Sequence, residues 1–250
     1  MKLLKIIEIM AFAKRPLRLQ EIAQAADMPQ STVSRFVSAL VTAGYAMQNT
    51  ETLKYQLTLR FCKIGDVLRA QFNIRDVCKP YLYTLAQKSR ESAFLYVEEN
   101  MTVVCLDFAD APDGQAGSVT ERIGHTDSMH STAAGKVLLL GYSEELLQKF
   151  LSTRGLPQRT DKTVTDRKQF LTILEHVRTD GFAVDDEENE TGIRSVASPI
   201  MDYEGKVIAA IGISSRASRL NYYEINRAKD CVMETAAEIS KALGYRITEE

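Results

Sequence analysis

Between Leu17 and Tyr45 the chain reads Leu-Arg-Leu-Gln-Glu-Ile-Ala-Gln-Ala-Ala-Asp-Met-Pro-Gln-Ser-Thr-Val-Ser-Arg-Phe-Val-Ser-Ala-Leu-Val-Thr-Ala-Gly-Tyr. Leu19, Ile22, Ala23 and Ala26 recur at helical spacing, and so do Val33, Phe36, Val37, Leu40 and Val41. A turn of about four residues around Asp27–Gln30 separates the two stripes. Two short amphipathic helices joined so tightly pack at a steep angle, and the second can lay its N-terminal residues against base edges in a major groove. Its opening residues are small, polar or basic and lie off the apolar stripe or in its first turn: Gln30, Ser31, Thr32, Ser34 and Arg35.

The flanking sequence completes this module. Leu3, Leu4, Ile6, Ile7, Met10 and Phe12 predict an apolar face on a first helix that ends near Arg15-Pro16. Gly44 suits a left-handed helix end. Tyr45–Gln48 and Tyr55–Leu59 can then pair as strands across a polar loop from Asn49 to Lys54. Such a hairpin is the wing of a winged helix-turn-helix, and it lets Gln48 and Lys54 reach the sugar-phosphate backbone. Arg35 can bond guanine in bidentate fashion, Ser, Thr and Gln can bond phosphate or base, and Arg18 and Gln20 stand where a second helix starts beside a phosphate.

Charge agrees with this division. The overall charge is −2, but residues 1–75 hold 11 Lys and Arg against 5 Asp and Glu, and residues 76–250 hold 20 against 28. A +6 head on a −8 body suits one part that meets phosphates and one that does not. We place a winged helix-turn-helix at 1–60, a helical joint at 61–75 and a second domain at 76–250. Helical patterning from Arg60 to Ala70 and a cap-like Asn73-x-x-Asp76 form the joint. In the following helix Val77, Tyr81, Leu82 and Leu85 supply the apolar face, and Pro80 predicts a kink.

Beyond Glu91 the patterning changes. Ala93–Val97 and Thr102–Phe108 read as a hairpin, and Ser118–Ile123, Phe182–Val184, Val196–Met201 and Val207–Ser214 as strands. Helices are predicted at Ala133–Leu140, Glu144–Leu151, Asp166–Thr179 and Asn221–Leu243. The mixture predicts an α/β (α+β) sensor domain around one central sheet.

Other chemistries find little footing. Cys62, Cys78, Cys105 and Cys231 form no Cys-x-x-Cys pair and are expected as buried, reduced, structural thiols. His130-Ser-Thr-Ala-Ala-Gly-Lys136-Val137 lacks the first glycine and the magnesium-binding hydroxyl of a phosphate loop, so Gly135 and Lys136 are assigned to a packed helix. The run Asp185-Asp-Glu-Glu-Asn-Glu lacks calcium-loop spacing and is expected to be solvated, with Asp185 alone turned to a pocket. Among His125, His130 and His176, the last reads as a surface residue and the first two as neighbours of a cavity. Gly-x-Ser-x-Gly does not occur. No catalytic residue, cofactor or metal is therefore assigned; a metabolite-processing enzyme in the C-terminal domain is the alternative. No apolar run approaches the roughly 18–20 residues that cross a bilayer, and Glu8 breaks the apolar start that would otherwise suggest a signal peptide. The chain is expected in the cytoplasm.

Several segments together resemble the IclR family of bacterial transcriptional regulators over nearly the whole chain. They are Met28-Pro-Gln-Ser-Thr-Val-Ser-Arg, Gly44-Tyr, Tyr55-Gln-Leu, Ile123-Gly-His, His130-Ser-Thr-Ala-Ala-Gly-Lys, Val177-Arg-Thr-Asp-Gly-Phe-Ala-Val-Asp-Asp-Glu-Glu, Gly192-Ile-Arg-Ser-Val-Ala-Ser-Pro-Ile and Ile211-Gly-Ile-Ser. The resemblance implies a GAF-like ligand-binding domain after the winged helix-turn-helix. It also implies a dimer or dimer of dimers on an operator in double-stranded DNA, and control by a small organic or aromatic acid. The implied effector site comprises Val119, Met129, Ala133, Ala134, Asp185, Ile193, Ser195, Gly212 and Ser214. The chain departs from the family pattern at Ser128, where proline is usual, and at Ser195, where cysteine is common. It also has almost no arm before the first helix, so minor-groove contacts from such an arm are not expected.

Overall fold

The computed structural model describes residues 2–71, 73–112 and 123–245. Contacts divide the chain into two compact units, Met1–Phe72 and Asn73–Glu250.

In the first unit α1 (Lys2–Phe12), α2 (Leu19–Ala26) and α3 (Gln30–Thr42) enclose Ile6, Met10, Leu17, Ile22, Val33, Val37 and Leu40. The α2–α3 turn is three residues long, Asp27–Pro29, because Gln30 already belongs to α3. Asp27 adopts φ +54, and the Met28 amide reaches back to the Ala23 carbonyl to close α2. At the far end of α3, Gly44 takes φ +77. Its amide bonds the Val41 carbonyl, and the Tyr45 amide bonds Leu40. That double closure satisfies carbonyls the helix would otherwise leave open, and the positive φ is why glycine suits the position.

Strands β1 (Ala46–Gln48) and β2 (Tyr55–Leu57) pair antiparallel, and a bridge from Leu17 to Tyr55 ties them to the helices. The Asn49 carboxamide oxygen accepts from the Glu51 and Thr52 amides and fixes the loop between the strands. In α4 (Arg60–Gln71), the Arg60 guanidinium donates to the Ala43 carbonyl and lies 4.7 Å from the centre of the Tyr45 ring.

Three apolar residues expected inside face water instead: Leu4 and Phe12 of α1 and Val41 of α3. At 100° per residue, Leu4 and Phe12 each stand about 200° from the buried Ile6 or Met10, on the opposite side of the helix. Val41 lies at the edge of its stripe. Cys62 is exposed and Cys231 half-buried, so only Cys78 and Cys105 are core thiols; none of the four is in a disulfide. Cys62 sits on the outward face of α4.

The second unit opens with α5 (Ile74–Ser89), capped by Asn73, whose side chain accepts the Arg75 amide; Pro80 lies within the helix. A six-stranded, wholly antiparallel sheet follows, with spatial order β5-β4-β3-β8-β7-β6. Its strands are β3 (Ser92–Glu99), β4 (Thr102–Ala109), β5 (Thr126–Asp127), β6 (Ala183–Asp186), β7 (Ile193–Met201) and β8 (Val207–Arg216). The candidate strand at 118–123 falls mostly outside the described residues.

Helices cover both faces. Alternation sends Ala93, Leu95, Ile211 and Ile213 toward α5 and α9 (Tyr222–Ala242), where Leu82, Leu85, Val232 and Ile239 meet them. Phe94, Tyr96 and Ala210 point the other way. They pack on α6 (Ala133–Leu138), α7 (Glu144–Thr153) and α8 (Arg167–Asp180). Ser143 and Asp166 cap α7 and α8 by accepting the Leu146 and Gln169 amides. The fold is a winged helix-turn-helix followed by a mixed helix-and-sheet domain. No described helix is long and apolar enough to cross a membrane.

Candidate functional site

On the first unit, the buried stripe of α3 holds it to the core while its opening turns stay available. Gln30, Ser31 and Arg35 are exposed, and Thr32 and Ser34 half-buried. Arg35 forms no ion pair with a described residue; its guanidinium lies 5.4 Å from the Phe36 ring centre. Arg18 occupies the N-cap of α2, where its amide donates to the Glu21 carboxylate. That bond and the Arg15 guanidinium hold the Glu21 carboxyl below its ordinary range. The ion pair engages Arg15 and leaves the Arg18 guanidinium exposed. Arg18, Gln20, Gln30, Gln48 and Lys54 line one groove of about 780 Å³ between the starts of α2 and α3 and the wing. Five polar or basic side chains from three elements thus converge, and Ser31, Thr32, Ser34 and Arg35 follow along α3.

The second unit holds a partly open cavity of about 300 Å³. Ala134, Asp185, Ile193, Ser195 and Ser214 border it, as do Tyr96, His125, Asp127, Thr132, Arg159, Asn189 and Glu190. Met129, Ala133 and Gly212 are not among the lining residues. Met129 and Ala133 are buried in the core around α6. Gly212 pairs with Phe94 and Ala197, and a Cβ there would stand 2.4 Å from the Val196 carbonyl oxygen. Val119 falls outside the described residues.

Polar groups around the cavity are mostly occupied. Asn189 donates to Asp127 and accepts from Ser131, and Arg159 lies 3.7 Å from Asp127. Among the described residues two buried side-chain oxygens have no partner, the Ser214 hydroxyl on the cavity wall and Glu188 Oε2. A buried hydroxyl with no bond is costly and marks a place where a ligand polar group would fit. His125 borders the cavity. His130 does not: its Nδ1 accepts from Ser128 and its Nε2 donates to the Pro157 carbonyl, an assignment that makes the ring neutral. Burial pushes its pKa below the ordinary value. The hydroxyl of Ser128, at the position where the resemblance led us to expect proline, therefore has a structural use. His176 is exposed on α8.

The acidic run 185–190 departs most from expectation. Asp185 is buried, and the neighbouring carboxylates are tied down rather than solvated. Asp186 accepts from Arg194 and the Tyr222 hydroxyl, Glu187 from Lys162 and the Gly192 amide, and Glu188 from Lys136. Hydroxyls of Thr160 and Thr163 donate to the loop's own carbonyls. A loop that turns inward must satisfy its backbone groups, and these neighbours do so. Composition alone could not reveal this, since the partners lie far away in sequence. Lys136 is sealed within the protein against Val184 and Glu188, so it cannot meet a nucleotide. No group of described residues could hold a metal ion.

Comparison with known proteins agrees across the chain. The IclR helix-turn-helix domain matches residues 1–50. The C-terminal domain of the bacterial transcriptional regulator IclR matches residues 68–241. The HTH-type transcriptional regulator XynR of Escherichia coli strain K12 is 28% identical, over 97% of this chain and 95% of its own length. The crystal structure of the Thermotoga maritima IclR covers 98% of each chain at 28% identity and TM-score 0.65. A PobR inducer-binding domain from Acinetobacter, a double mutant in complex with 3-hydroxybenzoic acid, covers 68% of this chain and 98% of its own. It superposes at 26% identity and TM-score 0.62.

Proposed function

The chain belongs to the IclR family and is a transcriptional regulator rather than an enzyme; from that premise we propose that it is a cytoplasmic repressor released or engaged by a small organic or aromatic acid. Residues 1–60 read a (pseudo)palindromic operator, 61–75 join the parts, and 76–250 hold the effector. Arg18, Gln20, Gln30, Ser31, Thr32, Ser34, Arg35 and Lys54 contact DNA. Ala134, Asp185, Ile193, Ser195 and Ser214 contact the effector directly, while Met129, Ala133 and Gly212 shape the wall behind them.

One observation carries the DNA reading: α3 buries Val33, Val37 and Leu40 while presenting Ser31 and Arg35 to solvent. A helix anchored in that way can enter a major groove without losing its core. Exposed Leu4 and Phe12 on α1, with Leu59, Ile64 and Val67 at and along α4, supply apolar surface for a dimer or dimer of dimers. Two copies would then meet half-sites about 34 Å apart. Occupying a promoter blocks polymerase without further contacts, which favours repression. The ligand acts by binding one spacing of the heads better than the other.

Gel-shift or anisotropy titration with promoter fragments tests the reading. Affinity should fall steeply with salt, and Arg35→Ala should cost about 1–3 kcal/mol and relax specificity. Equal affinity of Arg35→Ala for operator would refute the role given to that residue. A thermal-shift screen of small organic acids tests the effector site.

A further inference from the structure

Asp185 on the cavity wall belongs to a buried cluster, with Lys136 and Glu188 beyond the lining, whose charges do not balance. Lys136 of α6 and Asp185 at the end of β6 are 1% and 3% exposed, and the Glu188 side chain is 12% exposed. Glu188 takes the Lys136 ammonium, and Asp185 forms no ion pair with a described residue, in a place where water is largely excluded. Holding both ionised would leave a net negative charge in a medium that opposes it, so the pair retains a proton near neutrality. Glu188 touches the ammonium directly, which keeps the negative charge there. The proton falls to Asp185. Desolvation pushes the Asp185 carboxyl up to about 7, against the pull of Lys136, and moves Glu188 upward too.

Geometry turns that proton toward the cavity. Asp185 Oδ1 accepts the amides of Glu188 and Asn189, while Oδ2 bonds no described residue. Facing it are Lys136 from α6, Ser195 from β7, Ser214 from β8, and Glu188, Asn189 and Glu190 from its own loop. Arg159, His125 and Asp127 stand around the same space. The unpartnered Ser214 hydroxyl on this wall independently marks a ligand position.

We propose that binding of an acidic effector is coupled to one proton held by Asp185, which donates it in a hydrogen bond to the ligand carboxylate and so selects acids over their uncharged analogues. This rests on the acid-effector reading above. When Asp185 is ionised before binding, the proton is taken up from solvent, one per ligand. By linkage, acid affinity is level below the Asp185 midpoint and falls about tenfold per pH unit above it.

The test uses the full chain with three probes: acetate, 3-hydroxybenzoate and the uncharged 3-hydroxybenzyl alcohol. The carbon-13 carboxyl signal of Asp185, assigned by its loss in Asp185→Asn, should titrate near pH 7 and move upward as acetate is added. Calorimetry should show 3-hydroxybenzoate binding at least tenfold weaker at pH 8.5 than at pH 6. The alcohol should bind far more weakly than the acid at pH 6. Asp185→Asn, which keeps a neutral donor, should bind the acid equally at both pH values.

Titration of the Asp185 signal in the ordinary carboxylate range would overturn the proposal without any variant. So would a pH dependence that survives in Asp185→Asn, which would place the titrating group elsewhere. In both cases acid binding itself, and the effector reading, would stand. Failure of both acids to bind at every pH would remove both.

Discussion

Two helical glycines should respond to the same substitution with opposite signs. A Cβ built at Gly135 in α6 would stand 2.3 Å from the Met129 carbonyl oxygen and 2.4 Å from its Cα. Nonbonded carbon contacts settle near 3.5–4.0 Å, so α6 or the Met129 segment would have to retreat by about 1 Å. Overpacking costs about 1–3 kcal/mol when side chains can adjust, and here both sides are backbone, so the upper end applies. Alanine returns about 1 kcal/mol of helix propensity. The net loss for Gly135→Ala is about 2 kcal/mol, or roughly 4–8 °C in the melting of a unit this size. Gly65 in α4 has nothing within 4 Å of its added carbon. Gly65→Ala should therefore gain about 0.5–1 kcal/mol from propensity alone. Calorimetric melts of the full-length variants, read against wild type, measure both shifts. If Gly135→Ala melted with or above wild type, the close packing of α6 on Met129 would be refuted; a lower melt for Gly65→Ala would refute the open space around Gly65.

Other substitutions probe local strain and titration. Asp27→Gly relieves an exposed residue at φ +54 in the turn before α3, and chemical denaturation should show a gain of about 0.5–1 kcal/mol. Asn100 and Met101 both take positive φ in the tight turn between β3 and β4, so Met101→Gly should stabilise that hairpin by about 1 kcal/mol, seen as slower amide exchange in both strands. His130 is held neutral, with a folded pKa below its unfolded value. Its contribution is thus complete above the unfolded pKa of about 6.5 and is lost as the pH falls toward the folded one. The melting-temperature gap between wild type and His130→Gln should accordingly narrow from pH 7 to pH 5.

Sequence reasoning succeeded where one helix or one hairpin contains its own explanation. The stripes of α2 and α3, the glycine after α3, the wing strands and the cap at Asn73 are all local patterns. Each follows from periodicity or from a side chain that can reach a nearby amide. Leu4 and Phe12 misled because a string dense in apolar residues does not say which side of the helix is covered. Strand β5 is two residues long and carries no alternation to detect. Arg159 was missed because it lies in a polar segment after α7 and meets the cavity only through tertiary packing. The direction of the run 185–190 was hidden for the same reason: Lys136, Thr160, Lys162, Arg194 and Tyr222 converge on it from four other segments.

Energetics also separate the charges that build the cavity from those available within it. Arg194 is about nine-tenths buried, its guanidinium bonds Asp186 and the Ala217 and Leu220 carbonyls, and the Tyr222 ring lies 4.6 Å away. Removing that cation would leave two carbonyls without their donor and Asp186 with only the Tyr222 hydroxyl and Lys162, a cost above that of an exposed pair. Lys136 is held just as firmly. Arg159 differs, with a side chain 45% exposed and Asp127 at 3.7 Å, an ion pair worth about 1 kcal/mol or less. Its bond to the Asn189 carbonyl is long at 3.4 Å. A carboxylate entering the cavity can therefore compete for Arg159 at small cost, whereas Lys136 and Arg194 are already committed. The loop at 185–190 is tied on several sides for this reason, and on this boundary the Arg159 side chain, not its segment, is the group that can change partners.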